Sequence, residues 1–377
     1  MTMSRRVLLW IGFALLGGCS FDTQEIDEIG QNAATRFLTG VADSGYARVN
    51  ESRPFSFPGD HASHPEYRSE WWYFTGNLAS EEGHQYGFEL TFFRFALAPA
   101  VVERRSEWGT NQAWMAHLSL TDENQNRFVA TERFSREALG LAGSTLGPFK
   151  LHIEDWSAES GGSELFPLRL RAADEDGEID LTLVPLKGPV AQGEDGFDRK
   201  GPEDGNASHY YSFTRLRTEG QFRVGDQEVS VTGLSWMDRE WGTSALSDDL
   251  DGWDWFSLQL SDGRDLMYYR LRTSDGETSP FSGGSIVDTE GNRTALAADD
   301  VSLQILDYWQ SDVTGSRYPV SWSLSIPKWQ LGLEVRPLIQ HQELDLAVRY
   351  WEGAIIAEGT ELSPDVNGRG YLELTGY

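Results

Sequence analysis

From Arg53 to Tyr377, apolar positions come in short runs rich in aromatic and β-branched residues, separated by Gly, Asp, Asn and Ser. No sustained helical period follows residue 50, so the pattern predicts strands. Asp176-Gly177 and Ser261-Asp262-Gly263 read as hairpin turns. Pro58-Gly59-Asp60 and the acidic, glycine-rich stretch 192–206 read as loops. The fold class is all-β, a sandwich or barrel. Upstream the pattern changes: an apolar run from Val7 to Leu16 follows Arg5 and Arg6, residues 21–38 carry a poor helical pattern, and 40–45 reads as a linker.

The strand pattern also repeats. Trp71-Trp72-Tyr73-Phe74-Thr75-Gly76-Asn77-Leu78 aligns with Trp253-Asp254-Trp255-Phe256-Ser257-Leu258-Gln259-Leu260, and after a shorter turn Glu89–Phe95 aligns with Asp265–Leu271. Each copy reads as a hairpin of two aromatic strands. Two tandem β domains of similar plan follow, at 51–228 and 229–377, joined near Gly225 to Gly233. Because side chains alternate across a strand, Trp71, Tyr73, Thr75 and Asn77 share one face, as do Trp253, Trp255, Ser257 and Gln259. Both faces run from aromatic to hydroxyl to amide. Such a wall suits a barrel cavity holding a mostly apolar ligand with one polar group, and it equally suits a barrel that its own aromatics fill. The opposite faces, with Phe74, Leu78, Phe256 and Leu260, read as plain packing.

The single cysteine, Cys19, changes the cellular picture. It ends Leu16-Gly17-Gly18-Cys19 directly after the apolar run, which is the order of a bacterial lipoprotein signal: positive residues, a run too short to span a bilayer, small residues, and a thiol to acylate. Residues 1–18 are expected to be removed, and 19–50 to form a lipidated tether. Ser20, rather than aspartate, resembles the sorting pattern of outer-membrane lipoproteins. Loss of Arg5 and Arg6 takes the formal charge from −28 to −30. An acidic surface of this kind repels phosphate backbones, so nucleic acid is excluded as a partner. With one thiol there is no internal disulfide, and stability rests on burial, with fourteen tryptophans leading.

The densest chemistry lies in Trp236-Met237-Asp238-Arg239-Glu240-Trp241-Gly242. On a strand, Trp236, Asp238 and Glu240 face one way. Two carboxylates in a partly apolar site cannot both ionise easily, so one is a candidate general acid with the other as its partner. The alternative is that Arg239 or another cation pairs with them and the motif is structural. A second constellation, Asp60, His61, His64 and Glu66, with His117 and His209 in other segments, offers His-x-x-His in a loop. It lacks the helical His-Glu-x-x-His arrangement of zinc hydrolases, so these groups are expected to hydrogen-bond or line a pocket mouth, and no metal or cofactor is expected. There is no Gly-x-Ser-x-Gly elbow for a serine hydrolase.

The segments HPEYRSEWWYFTGNL (64–78), HYYSFTRL (209–216), GLSWMDREWGTS (233–244), DGWDWFSLQL (251–260), YWEGA (350–354) and GRGYLELTGY (368–377) resemble the AttH-like proteins. These are two-domain, lipocalin-like bacterial proteins related to carotenoid 1,2-hydratases (hydroxyneurosporene synthases) and often labelled secreted hydrolases. The resemblance runs in order from about Gly45 to Tyr377. It implies a lipocalin-like barrel in both halves and, through the hydratases, Asp238 as the acid that protonates an alkene, with Glu240 beside it. AttH-type members are associated with ABC-transport permeases that handle envelope substrates. Trp71, Tyr73, His117, Trp236, Trp253, Trp255 and Tyr268 are the expected ligand contacts.

Three roles compete: a carrier of a lipophilic molecule beside a permease, a hydratase or lyase on an apolar substrate, and a structural protein with filled barrels. Wall features occur in both repeats and the acid pair only once, which favours the carrier. An open barrel holding both acids would indicate the enzyme, an open barrel without them the carrier, and filled barrels the structural protein. The anchor has its own test: Cys19→Ser is expected to leave the protein unprocessed or released from the outer-membrane fraction, and unchanged membrane attachment would remove the lipoprotein reading.

Overall fold

A computed structural model describes residues 45–100, 106–243, 246–247 and 249–377. The signal segment, Cys19 and most of the tether lie outside these residues. Within them the chain is all-β, and its paired strands run antiparallel in two curled, barrel-like sheets. The first sheet has thirteen strands. Its central run places Gln85–Ala96, Ser69–Ala79, Gln227–Gly242 and Ala207–Val224 side by side. The second has ten, with Asp265–Thr273, Leu250–Leu260, Asn367–Leu374 and Tyr350–Gly359 at its centre.

Each sheet curls round its own apolar core, and both cores are filled. In the first, Trp72, Phe74, Trp114, Trp156 and Trp241 are buried together; in the second, Phe256, Tyr268, Trp322, Trp351 and Leu372 are. The wall and packing faces of the repeat are therefore reversed from expectation. The Phe74 and Leu78 side fills the barrel, while Trp71, Tyr73, Thr75 and Asn77 look outward onto the other sheet. Parity shows which residues share a face but not which side the sheet closes on. Here the outward face is desolvated too, with Thr75 and Asn77 buried.

The two outward faces dock through directed polar contacts. Tyr73 donates to Glu352 Oε1 at 2.6 Å, Asn77 to the Gly370 carbonyl at 2.9 Å, and Gln259 to the carbonyls of Thr214 and Ser235 at 2.8 and 2.9 Å. Asp265, fully buried, takes Lys187 Nζ and Arg215 from the first sheet, each at 2.7 Å. Approach is close enough that a Cβ on Gly87 would sit 2.6 Å from Ala354 Cβ and 2.9 Å from the Tyr371 hydroxyl.

The structure moves two sequence assignments. The strand Gln227–Gly242 pairs along Ser69–Ala79 and Ala207–Val224, so the chain leaves the first sheet after Gly242 rather than at 228/229. In the repeat, Glu70 lies opposite Arg94 and Asp254 opposite Arg270, each a fully buried acid bonded to the facing arginine and to a second one, Arg239 or Arg272. Aligning these pairs keeps Glu89 on Asp265 and makes Trp255, not Trp253, the counterpart of Trp71. The two offsets read from sequence differ from a consistent hairpin by two residues, a slip that preserves strand parity and so leaves the face assignments intact.

Candidate active site

A cavity of about 170 Å³ lies between the two sheets, outside both barrels. At about 30 Å³ of liquid per water this is space for roughly six waters, or a ligand segment of similar size. Aromatic rings from both sheets form most of its wall, among them Trp71, Tyr73, Phe93, Trp253, Trp255 and Tyr269. The polar groups on the wall include Asp238, Glu240, Lys200 and Ser208 from the first sheet and Glu373 from the second.

Asp238 sits on the Gln227–Gly242 strand opposite Tyr73 on one side and Ser212 on the other. Strand parity aims it out of the first barrel and into the cavity. Its Oδ1 accepts from Ser212 Oγ at 2.5 Å and from the Trp236 indole at 2.7 Å, and Oδ2 accepts from the Tyr210 hydroxyl at 2.6 Å. Burial pushes its carboxyl up to about 7, against the three donors, which favour the charged form. No cation pairs with it among the described residues.

Glu240 is held differently. It accepts from Ser208 Oγ at 2.5 Å and pairs with Lys200 Nζ at 3.3 Å, while that ammonium also bonds Asp198. Burial raises the Glu240 carboxyl and the Lys200 charge opposes the rise. Arg239 does not neutralise the two acids, because it points to the other face and into Glu70.

Of the other expected contacts, Trp71, Tyr73, Trp253 and Trp255 line the cavity. Trp236 stands one step behind, fixing Asp238. His117 does not reach the wall: it bonds the Tyr350 hydroxyl at 2.7 Å beneath Phe93, and burial drops its pKa to about 3, so the ring is neutral. Tyr268 faces the second core opposite Phe256, and its neighbour Tyr269 takes the place assigned to it. His61 and His64 belong to a buried network at the Glu70 end. His61 bonds Tyr211 at 2.7 Å, and His64 stacks on Trp241 and contacts Asp60. No metal-ligating group of three His, Cys, Asp or Glu occurs among the described residues.

Sequence reasoning missed Tyr210, Ser212, Lys200 and Glu373. Tyr210 and Glu373 lie in the segments HYYSFTRL and GRGYLELTGY. Both sit on outward faces whose partner strands are distant in sequence, so no local pattern marks them.

A family model described as AttH-like matches residues 48–377. The chain belongs to the AttH-like family. A solved structure of a putative AttH from Nitrosomonas europaea is 31% identical, with a TM-score of 0.76 over 88% of this chain and 99% of that one. Kievitone hydratase from Nectria haematococca shares the fold at 16% identity, with a TM-score of 0.64 over 89% and 98%. Dehydratase asqC of Emericella nidulans is 23% identical over 181 residues, 46% of this chain. The chain thus spans about half the length of that curated relative, 50%.

Behind Tyr73 lies a second acidic group. Glu352 and Glu89 are fully buried; Glu352 Oε2 finds no hydrogen-bond partner among the described residues, and Glu89 has only Thr91 and Ser119 to favour its charged form. Burial raises both, and mutual repulsion with Glu373 adds to it. A carboxyl raised in the fold costs stability as pH climbs from its unfolded value through its folded one, and the full cost persists above. Glu89→Gln removes that slope. It is expected to leave the melting temperature unchanged near pH 5 and raise it near pH 9, each tenfold difference in proton affinity between folded and unfolded chain being worth about 1.4 kcal/mol; equal effects at both pH values would show that Glu89 is not held neutral.

Proposed function

We propose that this protein is a hydro-lyase-type enzyme that adds water to, or removes it from, a neutral, largely apolar substrate, with Asp238 as general acid. One observation carries the reading: a buried carboxyl, in no ion pair with a cation among the described residues and pushed up by burial, opens onto an aromatic cavity. A carrier needs the aromatic wall but not the acid. The names of two relatives, a hydratase and a dehydratase, favour the same chemistry.

In dehydration, the Asp238 proton goes to the hydroxyl, water leaves, and a neighbouring C–H proton is lost to a second base. Hydration runs the same steps backward: a proton goes to an alkene carbon, water bonds to the resulting cation, and the Asp238 carboxylate takes the proton that water loses. Oδ1 already accepts two donors and Oδ2 one, from Tyr210, which leaves the remaining site on Oδ2 for the transferable proton. The Trp71, Trp253 and Trp255 rings offer π faces to a developing carbocation, an interaction that strengthens out of water. Lys200 is committed to Asp198 and Glu240, and Arg349 to Asp345, so the wall offers no unpaired ammonium or guanidinium to an anionic substrate.

The lipoprotein signal would hold this chemistry on the envelope membrane, facing the periplasm, where apolar substrates partition. That anchor and any permease partner rest on the sequence alone.

Incubation of purified protein with neutral isoprenoid alkenes and tertiary alcohols in water labelled with heavy oxygen tests the reading. Wild type is expected to exchange label with the alcohol pool. Asp238→Asn should cut the rate about 10²–10⁴-fold while ligand affinity stays within about tenfold, since the amide keeps the shape but has no proton to give. Tight binding by wild type with no label exchange would restore the carrier.

A further inference from the structure

Water addition or removal needs two proton-transfer groups, one to give and one to take, and three carboxyl groups reach the cavity wall: Asp238, Glu240 and Glu373. Glu240 has a fixed occupation as the counter-ion of Lys200 and acceptor from Ser208. Its charge is spent on a neighbour. We propose that Glu373 is the second catalytic residue, contributed from the opposite sheet, which takes the proton from carbon in dehydration, and returns it in hydration, while Asp238 exchanges its proton with the departing or attacking water. This rests on the hydro-lyase reading of the same cavity.

Position supports the assignment. Glu373 lies on the Asn367–Leu374 strand, opposite Trp255 on one side and Glu352 on the other, and shares the wall with Trp253. No lysine or arginine is within ion-pair distance among the described residues. Several titratable and charged groups face it. Asp238, Glu240, Lys200 and Tyr73 come from the first sheet, and Glu352 and Tyr350 from its own, with Glu89 and Arg349 near by. Half of these are carboxyl groups. Burial first, then repulsion from Asp238 and Glu240, lifts the Glu373 carboxyl to about 7, while the Trp253 indole and Lys200 act the other way.

The proton balance closes. In dehydration the Asp238 acid protonates the hydroxyl, the C–O bond breaks and water departs; Glu373 carboxylate removes the adjacent proton, and that C–H pair becomes the alkene. Asp238 ends as carboxylate and Glu373 as acid. One proton passing from Glu373 to Asp238 through the released water restores the start. Hydration follows the reverse course.

Linalool, a neutral tertiary terpene alcohol, separates the two roles. In labelled water, exchange of its hydroxyl oxygen needs the acid to expel water, whereas alkene formation needs a base as well. Wild type should do both, Asp238→Asn neither, and Glu373→Gln should keep oxygen exchange within about threefold while losing alkene formation by about 10²-fold or more. Glu373→Asp should regain part of the alkene yield, which separates a lost base from a misfolded site. Infrared titration reads the same pair without turnover: the protonated-carboxyl band that fades across neutral pH should shrink in Glu373→Gln, and the remaining Asp238 band should fade at lower pH as repulsion is removed. Alkene formation at the wild-type rate in Glu373→Gln, or an unchanged infrared band, overturns the assignment of Glu373 alone. If wild type neither exchanges nor eliminates, the hydro-lyase reading falls and takes this one with it.

Discussion

Burial of carboxyl groups between two sheets is the constraint on which this molecule turns. Two curled sheets present their outer faces to each other, and those faces carry acids that water no longer reaches. Each acid meets one of two fates. Asp265 gains Lys187 and Arg215 from the opposite sheet and remains a charged lock across the joint. Glu70 and Asp254, on the barrel side of their strands, sit within one sheet between two arginines each, and breaking such a buried pair leaves an uncompensated charge worth about 3–5 kcal/mol. Asp238, Glu373, Glu352 and Glu89 form no ion pair with a cation among the described residues and are pushed toward the neutral form instead. The Asp265 lock holds the sheets together; the neutral set lines or backs the cavity they enclose.

This division explains why neither half is sufficient. Asp238 and its three donors come from the first sheet, Trp253, Trp255 and Glu373 from the second, and the cavity exists only where they meet. Filled barrel cores free the fold from needing an internal ligand. They serve as rigid backing for strands whose outward side chains must be placed within hydrogen-bond distance of one another.

Much of this was legible before any coordinates. The alternation of aromatic and polar residues marks strands, the repeated hairpin marks two similar sheets, and Asp238 beside Glu240 on one face marks the acid site. The wall residues Trp71, Tyr73, Trp253 and Trp255 also stand where a single shared face puts them. What sequence did not show was the side on which each sheet closes. An outward face buried by a second domain has the same alternation as an inward face buried by its own barrel, so the cavity was assigned to the wrong side of a correctly read strand. Tyr268 and Tyr269 illustrate the remaining limit: neighbouring tyrosines differ only in parity, and parity against Trp255 selects Tyr269. Lys200 and Glu373 depend on pairings between distant segments that local pattern does not encode.

The central claim is that the working cavity lies between the sheets, at Asp238, and not within either barrel. A crystal structure with a bound tertiary terpene alcohol addresses it most directly. The account predicts the hydrocarbon between the Trp71 and Trp253 rings with its hydroxyl in hydrogen-bond reach of Asp238 Oδ2. Ligand density inside the Trp72 or Trp322 core, or in the cavity with the hydroxyl turned away from Asp238, would contradict it.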